Sequence, residues 1–121
     1  MNNIEQYKTS RGDEVVLIFI IDLSNNGRAD HAKRIFKDLE RLERYDLGFL
    51  MKDKIVKKIG KNIYELIINW KNANYRILFS IINGSYWLTN IFYKKTKKTP
   101  LKETRLAEQR KKELELSLNK F

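Results

Sequence analysis

The chain has 121 residues, a formal net charge of +10 and no cysteine. That length suits one domain, residues 1–121, with a modest core. The charge favours a polyanionic partner, namely RNA, DNA, an acidic protein or an anionic surface. Disulfide and thiolate chemistry are excluded, and a lone histidine, His31, gives no imidazole-built zinc site, so neither metal nor cofactor is expected. The longest apolar run, residues 15–21, falls far short of the roughly 20 residues needed to cross a bilayer. It also lacks a secretory leader's basic start and cleavage site. A cytoplasmic protein with no membrane partner is the expectation.

Residues 4–9 predict a short first strand, followed by a turn at Ser10-Arg11-Gly12-Asp13. Residues 14–23 are β-branched and apolar, and periodicity alone does not separate strand from buried helix there. His31 lies between apolar positions of the next segment and has the ordinary reading of a packing residue. Ala29, Ala32, Ile35, Phe36, Leu39 and Leu42 recur at three- and four-residue spacing, which predicts an amphipathic helix over 29–45 that stops near Gly48. The period then changes to two, and residues 62–70, 74–82 and 85–93 predict three strands. Asn83-Gly84 is a type I′ hairpin signal, and Lys71-Asn72-Ala73-Asn74 joins the first pair. A last helix begins with Thr99 as cap and Pro100 in first position and runs to about Leu118. The predicted class is α+β, a small twisted, largely antiparallel sheet of four to five strands. Helical structure lies in front of the sheet, and a basic C-terminal helix lies behind.

A two-residue turn at Asn83-Gly84 fixes the register. Ile82 then faces Ser85, Ser80 faces Trp87, Leu78 faces Thr89 and Arg76 faces Ile91. One face carries Tyr75, Ile77, Phe79, Ile81, Tyr86, Leu88, Asn90 and Phe92, and is dry. The other carries Arg76, Leu78, Ser80, Trp87, Thr89, Ile91 and Tyr93, and is wet. If the preceding loop is also even, Glu65, Ile67 and Asn69 join Arg76. Alternation past the strand end puts Lys95 on that side and Lys94 on the opposite one. Basic groups, aromatics and a carboxylate on an open sheet suit single-stranded nucleic acid, with cations on phosphate and Tyr93 or Trp87 stacking a base. Each has a plainer reading as well. A strand arginine is commonly a salt-bridge partner, period-two aromatics are commonly packing residues, and Glu65 is as readily the ion-pair partner of Arg76 as a base.

Lysines and arginines crowd residues 94–112, against only Glu103 and Glu108. The run begins where the candidate site lies, so Lys97 and Lys98 are taken as RNA-binding. A second run, which includes Lys57, Lys58 and Lys61, precedes the sheet and extends the same surface.

Tyr64-Glu65-Leu66, Tyr75-Arg76-Ile77-Leu78-Phe79 and the stretch from Phe92-Tyr93-Lys94-Lys95 through Thr96-Lys97-Lys98-Thr99-Pro100 resemble a known pattern. It is that of the phage-derived, HigB-like branch of the RelE/ParE toxin superfamily. The resemblance implies a RelE-like fold, with a helix where residues 14–23 fall and so two N-terminal helices packed on one face of the sheet. It implies a toxin of a type II toxin–antitoxin pair, a metal-independent endoribonuclease that cuts mRNA in the ribosomal decoding site and so inhibits translation. It also implies a small helix-turn-helix antitoxin as partner. By the same resemblance Arg76 grips the scissile phosphate, and Lys95, with Lys94 beside it, stabilises the transition state. Tyr93 and Glu65 are the candidate acid and base. Two positions depart from the pattern. Ile67 stands where many relatives have a cation, and Leu101 falls near a tyrosine found in some of them. Two other functions fit the same residues: a ParE-like toxin acting on DNA gyrase, and a non-catalytic RNA-binding module.

Overall fold

Two tight turns with positive φ at both residues, Lys71-Asn72 (48° and 63°) and Asn83-Gly84 (51° and 80°), join the three longest strands. That is the backbone twist a two-residue hairpin needs. The computed structural model describes residues 1–119. In chain order the elements are β1 (Asn3–Gln6), α1 (Val15–Asn25), α2 (Ala29–Arg44), α3 (Leu47–Lys52), β2 (Val56–Gly60), β3 (Ile63–Trp70), β4 (Ala73–Ile82), β5 (Ser85–Tyr93) and α4 (Leu101–Leu118). The five strands form one sheet in the order β1-β5-β4-β3-β2. β1 runs parallel to β5 and the other pairs are antiparallel. The class is α+β.

Tyr75, Ile77 and Phe79 of β4 and Leu66 and Ile68 of β3 are at most 1% exposed and meet Val16 and Ile20 of α1 and Ile35 and Leu42 of α2. Phe79 stacks between Tyr64 (centroids 5.4 Å apart) and Tyr86 (5.3 Å). Phe79→Ala should therefore cost about 3–5 kcal/mol. Urea unfolding checks this, and an unchanged midpoint would mean that the sheet face is not packed as described.

Residues 62–93 follow the expected strands closely, and β3 and β4 pair as an even loop requires, with Glu65 opposite Leu78 and Ile67 opposite Arg76. Outside the β4–β5 hairpin, these expectations need correction. The first strand ends at Gln6, and Lys8 bridges only Glu14 beyond it. The region of the second basic run holds α3 and β2: Asp46 caps α3 by accepting from Phe49 N–H at 3.3 Å, and Lys57 and Lys58 lie on an edge strand. Pro100 is itself the cap of α4, and the Thr99 hydroxyl turns to Glu65 instead. Finally, the face read as wet is covered by α4, where Ile63, Leu78, Phe92 and Ala107 form a second, smaller core.

The hairpin register changes partway along. From Ile82↔Ser85 to Phe79↔Leu88 it runs as expected, but Leu78 then pairs with Asn90, so Thr89 is the extra residue of a β-bulge. Thr89 is fully buried. Its hydroxyl, with one proton to donate, lies 2.8 Å from Asn90 Oδ1 and 3.1 Å from the Leu78 carbonyl, and its carbonyl accepts from Arg110 of α4 at 2.7 Å. The backbone that the bulge unpairs is thus satisfied by α4. Beyond Thr89 every side chain of β5 changes face: Asn90 and Phe92 point toward α4, while Ile91 and Tyr93 point toward α1.

At the β3–β4 turn, Lys71 Nζ donates to Asp30 at the start of α2 at 2.8 Å. That hydrogen bond, reinforced by the charge of Lys71, lowers the Asp30 carboxyl from 3.8 to about 2. A depressed carboxylate stabilises the fold above its unfolded value, and that contribution is lost as pH falls toward 2. In Lys71→Ala, an NMR titration should find Asp30 back near the ordinary carboxylate range, and an unmoved midpoint would show that the tether does not form in solution.

Candidate active site

Arg76 sits in the middle of β4, between Ile67 of β3 and Phe92 of β5, and is only 8% exposed. Its Nη1 donates to Asn69 Oδ1 at 3.1 Å and to the Tyr75 carbonyl at 2.8 Å. Its Nε lies 3.8 Å from Glu65 Oε1 with no hydrogen-bond partner of its own. Burial pushes the guanidinium pKa down, and the Glu65 carboxylate opposes that shift. A guanidinium so far above neutrality stays charged, so burial here makes a fixed, poorly hydrated cation.

Glu65, 2% exposed, lies behind Arg76, and its second oxygen accepts the hydroxyl proton of Thr99. That contact pins the loop between β5 and α4 onto the sheet. Lys94 N–H donates to the Asn74 carbonyl at 2.7 Å and extends the β4–β5 ladder by one residue, and the Thr96 hydroxyl donates to the Lys98 carbonyl at 2.8 Å. The loop thereby walls a groove of about 360 Å³ lined by Asn74, Arg76, Lys94, Lys95, Thr96 and Lys97. Four cations, one buried and three on the loop, border the same space.

The bulge at Thr89 rearranges the expected set. Tyr93 is opposite Tyr75, not on the Arg76 face, with ring centroids 5.5 Å apart in an edge contact. Alternation now carries Lys94, rather than Lys95, along the Arg76 side. Lys95 nonetheless borders the Arg76 groove, and it also borders a second cleft that contains Tyr93. Trp87 lies elsewhere, in a groove between β1 and the end of α4. Lys57 is opposite Glu65 and shares its face, whereas Lys58 is opposite Tyr64 and points its ammonium at that ring, 5.9 Å from the centroid. Lys61 is in the β2–β3 turn, its carbonyl accepting from Lys111. Lys98 is exposed on the loop without lining the groove. His31 is a packing residue, with Nδ1 2.9 Å from the Tyr75 hydroxyl.

Two contributors are not singled out by the sequence. Asn74, two residues before Arg76 at the start of β4, shares the Arg76 face by alternation and lines the groove, and Thr99 ties the loop to Glu65. Thr99 carries no periodic or charge signal, and its reading as a helix cap does not place it beside the sheet.

As chemistry, the groove is an oxyanion cradle: Arg76 provides directed donors from a rigid strand, and the lysines add charge where solvent still reaches. Among the described residues no helix is long and apolar enough to cross a membrane. No curated protein matches the chain. The family described as phage derived protein Gp49-like (DUF891) matches residues 22–112, a span that includes the whole of the groove.

Proposed function

This chain belongs to the Gp49-like family of phage-derived proteins, and we propose that it is the toxin of a type II toxin–antitoxin pair. In this reading it has a RelE-like fold and acts as a ribosome-dependent, metal-independent endoribonuclease on mRNA. The observation that carries the reading is the groove itself. A strand arginine held by a buried carboxylate faces three loop lysines across a space open to a phosphodiester.

The reaction is transesterification. The RNA 2′-oxygen forms a bond to the adjacent phosphorus, and the bond from phosphorus to the 5′-oxygen breaks. The 2′-hydroxyl proton leaves to a base and the departing 5′-oxygen takes up a proton, giving a 2′,3′-cyclic phosphate and a 5′-hydroxyl. Arg76 binds the non-bridging oxygens, and Lys95 with Lys94 stabilises the charge that grows on them. Glu65 is enclosed behind Arg76 and serves as its anchor, not as the base. Tyr93, with its ring against Tyr75 outside the Arg76 face, suits base stacking better than proton transfer. The decoding site supplies the remaining orientation and proton transfer. Lys57, on the face shared by Glu65 and Ile67, provides charge near the position where Ile67 lacks it. Leu101, 62% exposed at the start of α4, contributes no polar group. The net charge of +10 would speed encounter with an acidic helix-turn-helix antitoxin.

The test is purified chain with mRNA-programmed ribosomes, followed by end analysis of the RNA. Cleavage within the codon in the decoding site, leaving a cyclic phosphate and a 5′-hydroxyl, is the expected result. Intact RNA, or 5′-phosphate ends, would overturn it.

A further inference from the structure

Beside the Arg76 groove, and sharing Lys95 with it, is a cleft of about 570 Å³ between the end of α1 and the end of β5. That size is within the range of roughly 300–1,000 Å³ common to small-molecule sites. Its apolar lining is Phe19, Leu23, Tyr75 and Tyr93. Tyr75 is held rigidly, 1% exposed, edge-on to Phe19 at 6.2 Å and to Tyr93 at 5.5 Å. Tyr93 keeps 40% of its surface in solvent, so its ring is accessible at the mouth of the cleft. The polar rim is Asp22, Asn26, Arg28 and Lys95. Gly27, at φ +80°, turns the chain sharply between α1 and α2, so that Asn26 and Arg28 both reach the rim. The Asn26 amide is fixed by donating to the Asp22 carbonyl at 2.6 Å.

We propose that this cleft is a nucleobase subsite that holds a guanine next to the phosphodiester cut in the Arg76 groove. The proposal rests on the nuclease reading for the identity of that neighbouring phosphodiester. Lys95 belongs to both spaces, so a phosphate it grips leaves the adjoining nucleotide only one step from the cleft. Tyr93 offers a ring face to the base, as aromatic platforms do in single-stranded RNA sites. Asp22 is the one carboxylate in the lining, and a carboxylate only accepts hydrogen bonds. Guanine is the base whose pairing edge presents two adjacent donors, N1–H and the 2-amino group, to match two carboxylate oxygens. Uracil offers a single N–H between two carbonyls that the carboxylate repels. Arg28 and Lys95 offset the charge of Asp22 for an anionic ligand.

The experiment titrates the full chain with 5′-GMP, AMP, CMP and UMP and follows amide and aromatic shifts by NMR. GMP should shift Phe19, Leu23, Tyr75 and Tyr93 and bind roughly tenfold tighter than UMP, as a pair of charge-assisted hydrogen bonds predicts. Asp22→Asn, at an exposed position, should remove that preference without changing the fold, and should relax any guanine bias in ribosomal cleavage. Absence of cleft shifts, or equal binding of all four nucleotides unaffected by Asp22→Asn, would overturn the subsite even if the RNA is still cut. GMP binding by a chain that cuts no RNA would uphold the subsite and overturn the nuclease reading alone.

Discussion

Glu65→Ala is expected to lower stability by about 3–5 kcal/mol, because it strips a buried guanidinium of its countercharge. For a chain of this length that is a fall in melting temperature of roughly 12–20 °C. The reasoning starts from burial. Glu65 and Arg76 are 2% and 8% exposed, so water replaces only a small part of what either loses when the other is removed. Truncation also frees the Thr99 hydroxyl and with it the anchor of the basic loop. Glu65→Gln keeps the volume and an acceptor for Thr99 while deleting the charge, and should fall between the wild type and alanine. Calorimetry on the three proteins separates the two contributions. A loss below about 1 kcal/mol in Glu65→Ala, the range of exposed pairs, would mean that the Arg76 site is solvated after all.

Lys95→Ala makes the opposite prediction, with little change in stability and a large change in chemistry. Lys95 is exposed on the loop and lines both clefts. Surface substitutions of this kind usually stay within about 0.5 kcal/mol. Losing one preorganised donor to a developing oxyanion typically costs about 10²–10³ in rate. Single-turnover cleavage on programmed ribosomes should show that loss, whereas Lys98→Ala, outside the groove, should retain most activity. Equal and small effects from both would reduce the loop to a general electrostatic surface. Arg76→Ala would also abolish cleavage, but it leaves Glu65 buried and uncompensated, so Lys95 gives the cleaner separation of chemistry from folding.

The parts of this site that were legible in the sequence are those governed by local rules. Asn83-Gly84 set the hairpin, the even spacing of β3 and β4 put Glu65, Ile67 and Asn69 with Arg76, and the spacing of Ala32, Ile35 and Leu42 gave α2 its buried side. The bulge was not legible. Thr89 interrupts an alternation whose two possible continuations place Phe92 or Tyr93 inside, and an aromatic satisfies either. The contacts that favour one continuation come from α4, where Arg110 meets the Thr89 carbonyl, Glu103 meets Asn90 and Ala107 packs with Phe92. The covered second face was missed for a related reason. Leu78, Phe92 and Ala107 are too few and too far apart in sequence to announce a core, and Arg76, Ser80 and Thr89 read as solvated although all three are buried. β2 was hidden by its lysines, since an edge strand keeps charges outward to discourage further pairing. The cleft beside Tyr93 depends on where α1 ends relative to β5, which is tertiary placement with no local mark.

Inducing the chain in bacterial cells and mapping mRNA 5′ ends, against an uninduced control and the Lys95→Ala variant, tests the nuclease reading and its site together. The proposed function predicts new ends inside translated codons within minutes of induction, absent with Lys95→Ala even though that variant accumulates and folds normally. Growth arrest without new ends would contradict the nuclease reading and direct attention to a gyrase-type target, and new ends that persist undiminished in Lys95→Ala would contradict the site.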